Sequence, residues 1–220
     1  MKTNLIQRTV EIITEIHPQH MGSMSEVERM ILQSKISGAD IVKVQLYSSK
    51  KLFNDTEREY LDISKKELTH IKNYCENIGI ELSASIFDEE KLSWCEELNF
   101  KTYKIASRTV VDDFNLGMPF KEKNIEYLYC VSKYPTMLDE IKMPNFNDSF
   151  FVGYSDHTVD IDACIFAMSK GSKIIEKHFS NNKSINVSTQ LGHFGSMDAD
   201  DLQKLRKYAD SFSILRLSQS

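Results

Sequence analysis

The chain has 220 residues, and its 41% hydrophobic and 27% charged content is the balance of one soluble, core-forming domain spanning 1–220. A formal charge of -5 disfavours the broad basic face that nucleic acid needs, and no apolar run is long enough to cross a membrane. The start lacks the apolar core of a secretory leader. Cys75, Cys95, Cys130 and Cys164 form no CxxC pair, so they read as reduced core residues of a cytoplasmic protein.

Short β-rich runs alternate with amphipathic helical stretches. The first strand covers residues 9–16, and a helix with Ser25 as N-cap then runs to a C-cap at Gly38. The second strand is 41–47. Ser64 and Glu67 have the spacing of a capping box, opening a helix that closes at Gly79. Residues 81–87 form the third strand, Asp88 caps the helix carrying Trp94 and Cys95, and 102–107 form the fourth strand. Further strands cover 125–132, 150–157 and 173–180, the last two separated by an Ala-, Ile- and Met-rich helix. A final helix over 198–215 places Leu202, Leu205, Tyr208 and Phe212 on one face.

Strict β-α alternation predicts a parallel sheet with crossover helices, and polar groups gathered at the strands' C-terminal ends favour a TIM-type (β/α) barrel. No strand is followed by the GxGxxG turn of a dinucleotide-binding open sheet. Seven strands are countable where a full barrel has eight. The shortage lies between Ser107 and Ile125, so the fifth strand unit is the one expected to be lacking, with its remnant around Leu116-Gly117-Met118. Removing one strand predicts an opening between the 102–107 and 125–132 strands, with exposed edges that promote homodimers.

The strand ends carry the chemistry. Glu15 closes the first, Lys43 and Gln45 share a face of the second, and Ser85 ends the third. Lys104 and Ser107 come from the fourth, Ser132 and Tyr134 follow the next, Ser155 and His157 end the sixth of those present, and Glu176 and His178 the last. A lone strand lysine usually snorkels to solvent, and a lone histidine is usually packed or on the surface. Serines in these places serve equally well as helix caps. Two lysines inside helix-covered apolar runs fit an anion site better, and two histidines on adjacent strands fit a shared divalent ion. With a carboxylate as acid or base, these groups suggest carbon–carbon bond chemistry on a phosphorylated, sugar-like substrate.

In chain order, the segments Glu15-Ile16-His17-Pro18-Gln19-His20-Met21-Gly22, Lys43-Val44-Gln45, Ser85-Ile86-Phe87-Asp88, Lys104-Ile105-Ala106-Ser107, Cys130-Val131-Ser132-Lys133-Tyr134-Pro135, Gly153-Tyr154-Ser155-Asp156-His157-Thr158 and Ile175-Glu176-Lys177-His178-Phe179 resemble those of the N-acetylneuraminate (sialic acid) synthase family. The resemblance implies a metal-dependent condensation of phosphoenolpyruvate with N-acetylmannosamine or a related amino sugar, giving a sialic acid-type product and phosphate. It implies His157 and His178 as ligands of Mn2+ or Mg2+, and Lys43, Ser85, Lys104, Ser107, Ser132 and Ser155 as holders of phosphoenolpyruvate. It further implies Glu15 as the proton-handling carboxylate, and Gln45, Tyr134 and the second catalytic carboxylate, Glu176, on the sugar side.

The chain also departs from the family. His17 and Gln19 stand for Gly and Asn, Arg108-Thr109 replace a Gly-Asp or Gly-Glu pair and so remove a carboxylate near the sugar, and Gln190-Leu191-Gly192-His193 carries glycine where aspartate is expected. The family's C-terminal antifreeze-like domain is not expected within 1–220. A degenerate barrel that binds a phosphorylated ligand or a partner protein without catalysis is the competing expectation.

Overall fold

The computed structural model describes residues 8–105, 125–183 and 194–219. Among these residues seven strands run in chain order: β1 (Glu11–Glu15), β2 (Ile41–Leu46), β3 (Glu81–Ile86), β4 (Lys104–Ile105), β5 (Tyr127–Cys130), β6 (Phe151–Asp156) and β7 (Ile174–His178). The helices are α1 (Met24–Ser37), α2 (Ser49–Phe53), α3 (Lys65–Ile78), α4 (Glu89–Glu97), α5 (Asp162–Ser169) and α6 (Ala199–Leu217). Every strand pairing is parallel, in the order β4-β3-β2-β1-β7-β6-β5.

The strands read as near-continuous apolar runs because both faces are covered. In β2, IVKVQL, every residue but Gln45 is buried, including Lys43. Helices begin and end where the local chemistry demands. Ser64 and Glu67 close a capping box on α3, and Asp88 accepts from the Lys91 amide at the start of α4. The α1 cap is Ser23, two residues before the expected Ser25, because its side chain is the one that accepts from Glu26 N. Gly38 ends α1 at φ 107, in the left-handed region. There a Cβ would also lie 2.5 Å from Arg206 Cγ, so α6 docks where glycine leaves room. On α6, Leu202 and Leu205 are buried and Phe212 packs against the core, whereas Tyr208, expected on that face, is 45% exposed.

The sheet is strongly curled. Lys104 on β4 reaches Glu176 Oε1 on β7 at 2.6 Å, although four strand spacings separate them. In a flat sheet those spacings of about 4.8 Å would put the strands roughly 19 Å apart, well beyond a lysine's reach. The curl therefore brings the C-terminal ends of β1 to β7 around one space, as in a barrel. Close approach helps: a Cβ on Gly153 of β6 would sit 2.5 Å from Ile174 O and 2.7 Å from Leu128 Cδ2. β4 and β5 stand at opposite ends of the order and do not pair among the described residues, where the opening was expected. Ser107, Arg108, Thr109, the Leu116-Gly117-Met118 remnant and positions 190–193 lie outside the described residues. Among the described residues, no helix is long and apolar enough to cross a membrane.

Candidate functional site

A cavity of about 370 Å³ opens at the C-terminal ends of the strands. Eleven of the twelve residues singled out above line it: Glu15, Lys43, Gln45, Ser85, Lys104, Ser132, Tyr134, Ser155, His157, Glu176 and His178. The twelfth, Ser107, lies outside the described residues. Parallel strands explain the convergence. Side chains alternate between faces, and the residues at positions 43, 45, 85, 155, 176 and 178 fall on the inward phase of their strands.

The floor is a cluster of ions and hydroxyls. Lys43 Nζ donates to Glu15 Oε2 and, at 2.7 Å, to Ser85 Oγ, and lies 3.8 Å from Glu176 Oε2. Lys104 Nζ donates to Glu176 Oε1 at 2.6 Å and to Ser155 Oγ at 3.2 Å, while Ser155 donates to the same carboxylate oxygen at 2.9 Å. Burial pushes the Glu15 carboxyl above its usual range, and the Lys43 ammonium only partly offsets this. Burial also works against ionised Glu176, but Lys104 and Lys43 outweigh it and hold the carboxyl at about 2. One carboxyl is thus poised to carry a proton and the other is held ionised. Two ammoniums and two carboxylates nearly cancel, so an entering anion must draw the lysines away from the glutamates.

One wall carries the imidazoles. His157 Nδ1 donates to Val131 O at 2.8 Å, which leaves Nε2 with its lone pair. Burial lowers the His157 pKa to about 4, so the ring is neutral at pH 7. The His157 and His178 ring centroids are 6.1 Å apart, and Tyr134 lies against both, at 3.8 and 5.9 Å. A neutral ring oriented by a backbone carbonyl is the usual state of a metal-binding histidine. Among the described residues, no cluster of three or more His, Cys, Asp or Glu forms a ligand set. His157 and His178 are the two imidazoles on the cavity that could serve as ligands of a divalent ion.

The opposite wall was not anticipated. Tyr47 meets His17, Phe53 and Phe87 edge-on, with ring centroids 5.0, 5.4 and 5.7 Å away, and Arg58 also lines the cavity. Tyr47 continues the alternation from Lys43 and Gln45, and that spacing was the available clue. Cys130 also departs from expectation. It is only half-buried and lines the cavity, with Sγ 3.7 Å from His157 Nδ1, rather than sitting in the core like the other three cysteines.

The NeuB family model matches residues 30–118 and 119–216. The N,N'-diacetyllegionaminic acid synthase of Legionella pneumophila is 26% identical over 260 residues, covering 90% of this chain and 70% of that protein. Human N-acetylneuraminate-9-phosphate synthase is 24% identical over 250 residues, covering 88% and 67%. The chain spans about two thirds of the length of the curated relatives it matches. In fold it is similar to an N-acetylneuraminic acid synthetase from Leptospira borgpetersenii, with a TM-score of 0.79 at 20% identity over 94% of this chain and 85% of that one.

Proposed function

The chain belongs to the NeuB family, and from that premise we propose that it condenses phosphoenolpyruvate with N-acetylmannosamine or a related amino sugar, giving a sialic acid-type nonulosonate and phosphate. The observation that carries this reading is the convergence of Lys43, Lys104, Ser85 and Ser155 on one cavity floor beside two differently tuned carboxyls. Relatives named as synthases of legionaminic acid and of N-acetylneuraminate 9-phosphate support the product class.

In this mechanism the two ammoniums and the two hydroxyls hold the phosphate and carboxylate of phosphoenolpyruvate. The enol carbon attacks the sugar aldehyde and forms the C–C bond, and the aldehyde oxygen takes up a proton. Water adds to the resulting cationic carbon and gives up a proton, and phosphate leaves as its C–O bond breaks, taking up the proton of the hydroxyl that becomes the ketone. Glu15, with its raised pKa, is the group able to exchange those protons. Glu176 stays ionised, and its buried Oε2, which has no hydrogen-bond partner, accepts from a sugar hydroxyl, with Gln45 and Tyr134 beside it. A divalent ion, Mn2+ or Mg2+, held by His157 and His178 would supply Lewis-acid polarisation of the aldehyde. Ser132 is assigned to the phosphoenolpyruvate side. The reaction belongs in the cytoplasm, in keeping with four unbridged cysteines.

The test is phosphate release from phosphoenolpyruvate with Mn2+ and a panel of amino sugars. Release that needs both the metal and an acylated sugar agrees with the reading, and no release with any sugar refutes it. A non-catalytic barrel that binds a phosphorylated ligand or a partner protein is the second reading, favoured by the seven described strands, ending at β4 and β5, where a full barrel has eight. Those strand ends are also where two copies of the chain would associate, which light scattering at several concentrations checks.

A further inference from the structure

A chain of four hydrogen-bonding groups runs behind the aromatic wall, and its direction can be worked out. The Gly22 amide lies 3.0 Å from His20 Nδ1, and a backbone N–H can only donate. His20 Nδ1 therefore accepts, which puts the ring's proton on Nε2. That atom lies 3.0 Å from His17 Nδ1, so His17 in turn accepts there and carries its own proton on Nε2. His17 Nε2 is 2.6 Å from Tyr47 Oη, so the phenol oxygen accepts the last bond. The opposite direction would require His20 to accept at both nitrogens with no proton of its own.

The chain is firmly anchored. His17 and His20 are each 1% exposed. Gly22 has φ +76, and a Cβ there would lie 2.3 Å from Tyr60 O, so the donor that starts the chain is fixed by backbone that other residues would not tolerate. Its end is the Tyr47 hydroxyl, which makes no other hydrogen bond among the described residues. With its oxygen already accepting, that hydroxyl has its proton to donate. Leu52, Phe53, Leu61 and Phe87 line the cavity with it, as does Arg58, whose guanidinium lies over the Phe53 ring at 5.8 Å.

We propose that Tyr47 contacts the sugar substrate directly, donating to the carbonyl oxygen of its N-acyl group, with His17 and His20 as positioning residues that hold the phenol as a donor. This rests on the sugar-condensing reading above. A phenol donor of fixed direction beside the Leu52, Phe53, Leu61 and Phe87 side chains matches an acyl group, which offers one acceptor oxygen and an apolar methyl. Lysines and carboxylates on the floor, by contrast, match the phosphate and the sugar hydroxyls.

Tyr47→Phe removes the hydroxyl and keeps the ring. The KM for N-acetylmannosamine should rise about tenfold, the worth of one hydrogen bond, while the KM for phosphoenolpyruvate stays unchanged. His17→Leu should shift KM the same way, and His17→Gln, which retains an N–H donor, should restore much of it. An unchanged sugar KM in Tyr47→Phe, or equal changes for both substrates, overturns the proposal while leaving the condensation intact. Should the wild type release no phosphate with any sugar, the functional reading fails on its own. Calorimetric titration of N-acetylmannosamine then decides: about tenfold weaker binding to Tyr47→Phe supports the contact, and equal binding or none to either protein overturns it. Nitrogen-15 spectra of the histidine rings give a readout without ligand. Both His17 and His20 should carry the proton on Nε2, and an Nδ1 proton on either ring refutes the chain.

Discussion

Strands β6 and β7 carry two ion clusters back to back, and the clusters are built for different ends. On the inward face, Ser155 and Glu176 join Lys104 and Lys43 around a cavity, and Glu176 Oε2 is left without a hydrogen-bond partner. On the outward face, one residue along each strand, Asp156 and Lys177 pair at 2.5 Å with side chains 0% and 1% exposed. There every oxygen is used. Asp156 Oδ1 accepts from Tyr154 Oη at 2.8 Å and the Thr158 amide at 3.0 Å, and Oδ2 accepts from Thr158 Oγ1 at 3.1 Å and Cys164 Sγ of α5 at 3.3 Å. Lys177 also donates to Thr158 O at 2.8 Å. A saturated cluster sealed against a helix serves the fold. A cluster with a spare acceptor, open to a cavity, serves a ligand.

The largest effect should come from breaking the sealed cluster. Asp156→Ala leaves Lys177 buried and unpaired, and should cost about 3–5 kcal/mol of unfolding free energy in denaturant titrations. Pairing Asp156→Leu with Lys177→Met should recover most of that loss. If Asp156→Ala instead weakened phosphoenolpyruvate binding at unchanged stability, the division between the two faces would collapse.

Acid should act through the buried imidazoles. Burial lowers the His20 pKa from 6.5 to about 4. Between these values the unfolded chain binds a proton that the folded chain does not, so this contribution is complete above pH 6.5 and shrinks as the pH falls. Below about pH 4 the folded chain is protonated too and the loss levels off. The swing is roughly 3 kcal/mol, measurable by denaturant unfolding between those pH values. His20→Gln should flatten only part of the acid loss, since His157 is lowered to about 4 in the same way.

Cavity-face substitutions should spare the fold and weaken the ligand. Lys43→Ala leaves Glu15, already raised in pKa, to take up a proton rather than remain a buried charge. Calorimetry should show phosphoenolpyruvate binding weaker by about 10- to 100-fold, the range for hydrogen bonds from a charged donor. Unchanged affinity would remove Lys43 from the anion site. Ser155→Ala should be the mildest, at about fivefold in the KM for phosphoenolpyruvate, because Lys104 keeps its contact with Glu176.

Much of this was legible along the chain. Apolar runs located all seven strands, and Ser64, Gly79, Gly38 and Asp88 marked helix ends because capping depends on a few neighbouring atoms. Period-two alternation correctly grouped Lys43 with Gln45 and Glu176 with His178. The same alternation, carried two residues further, reaches Tyr47. Nothing local says that the ring His17 places beside it continues to His20 and Gly22, since that depends on how the turn after β1 folds back.

By itself the sequence determined the elements, their parallel arrangement and which side chains share a strand face, since these follow from backbone geometry and short-range spacing. The tertiary structure alone decided what those faces meet. Curling the sheet brought Lys104 to Glu176 across 72 positions of sequence, and the pairing of β6 with β7 set Lys177 beside Asp156 across 21 on the other face. Charge, burial and hydrogen-bond satisfaction are set by such long-range neighbours, so a buried lysine's identity as anchor or ligand could be read only from the space around it.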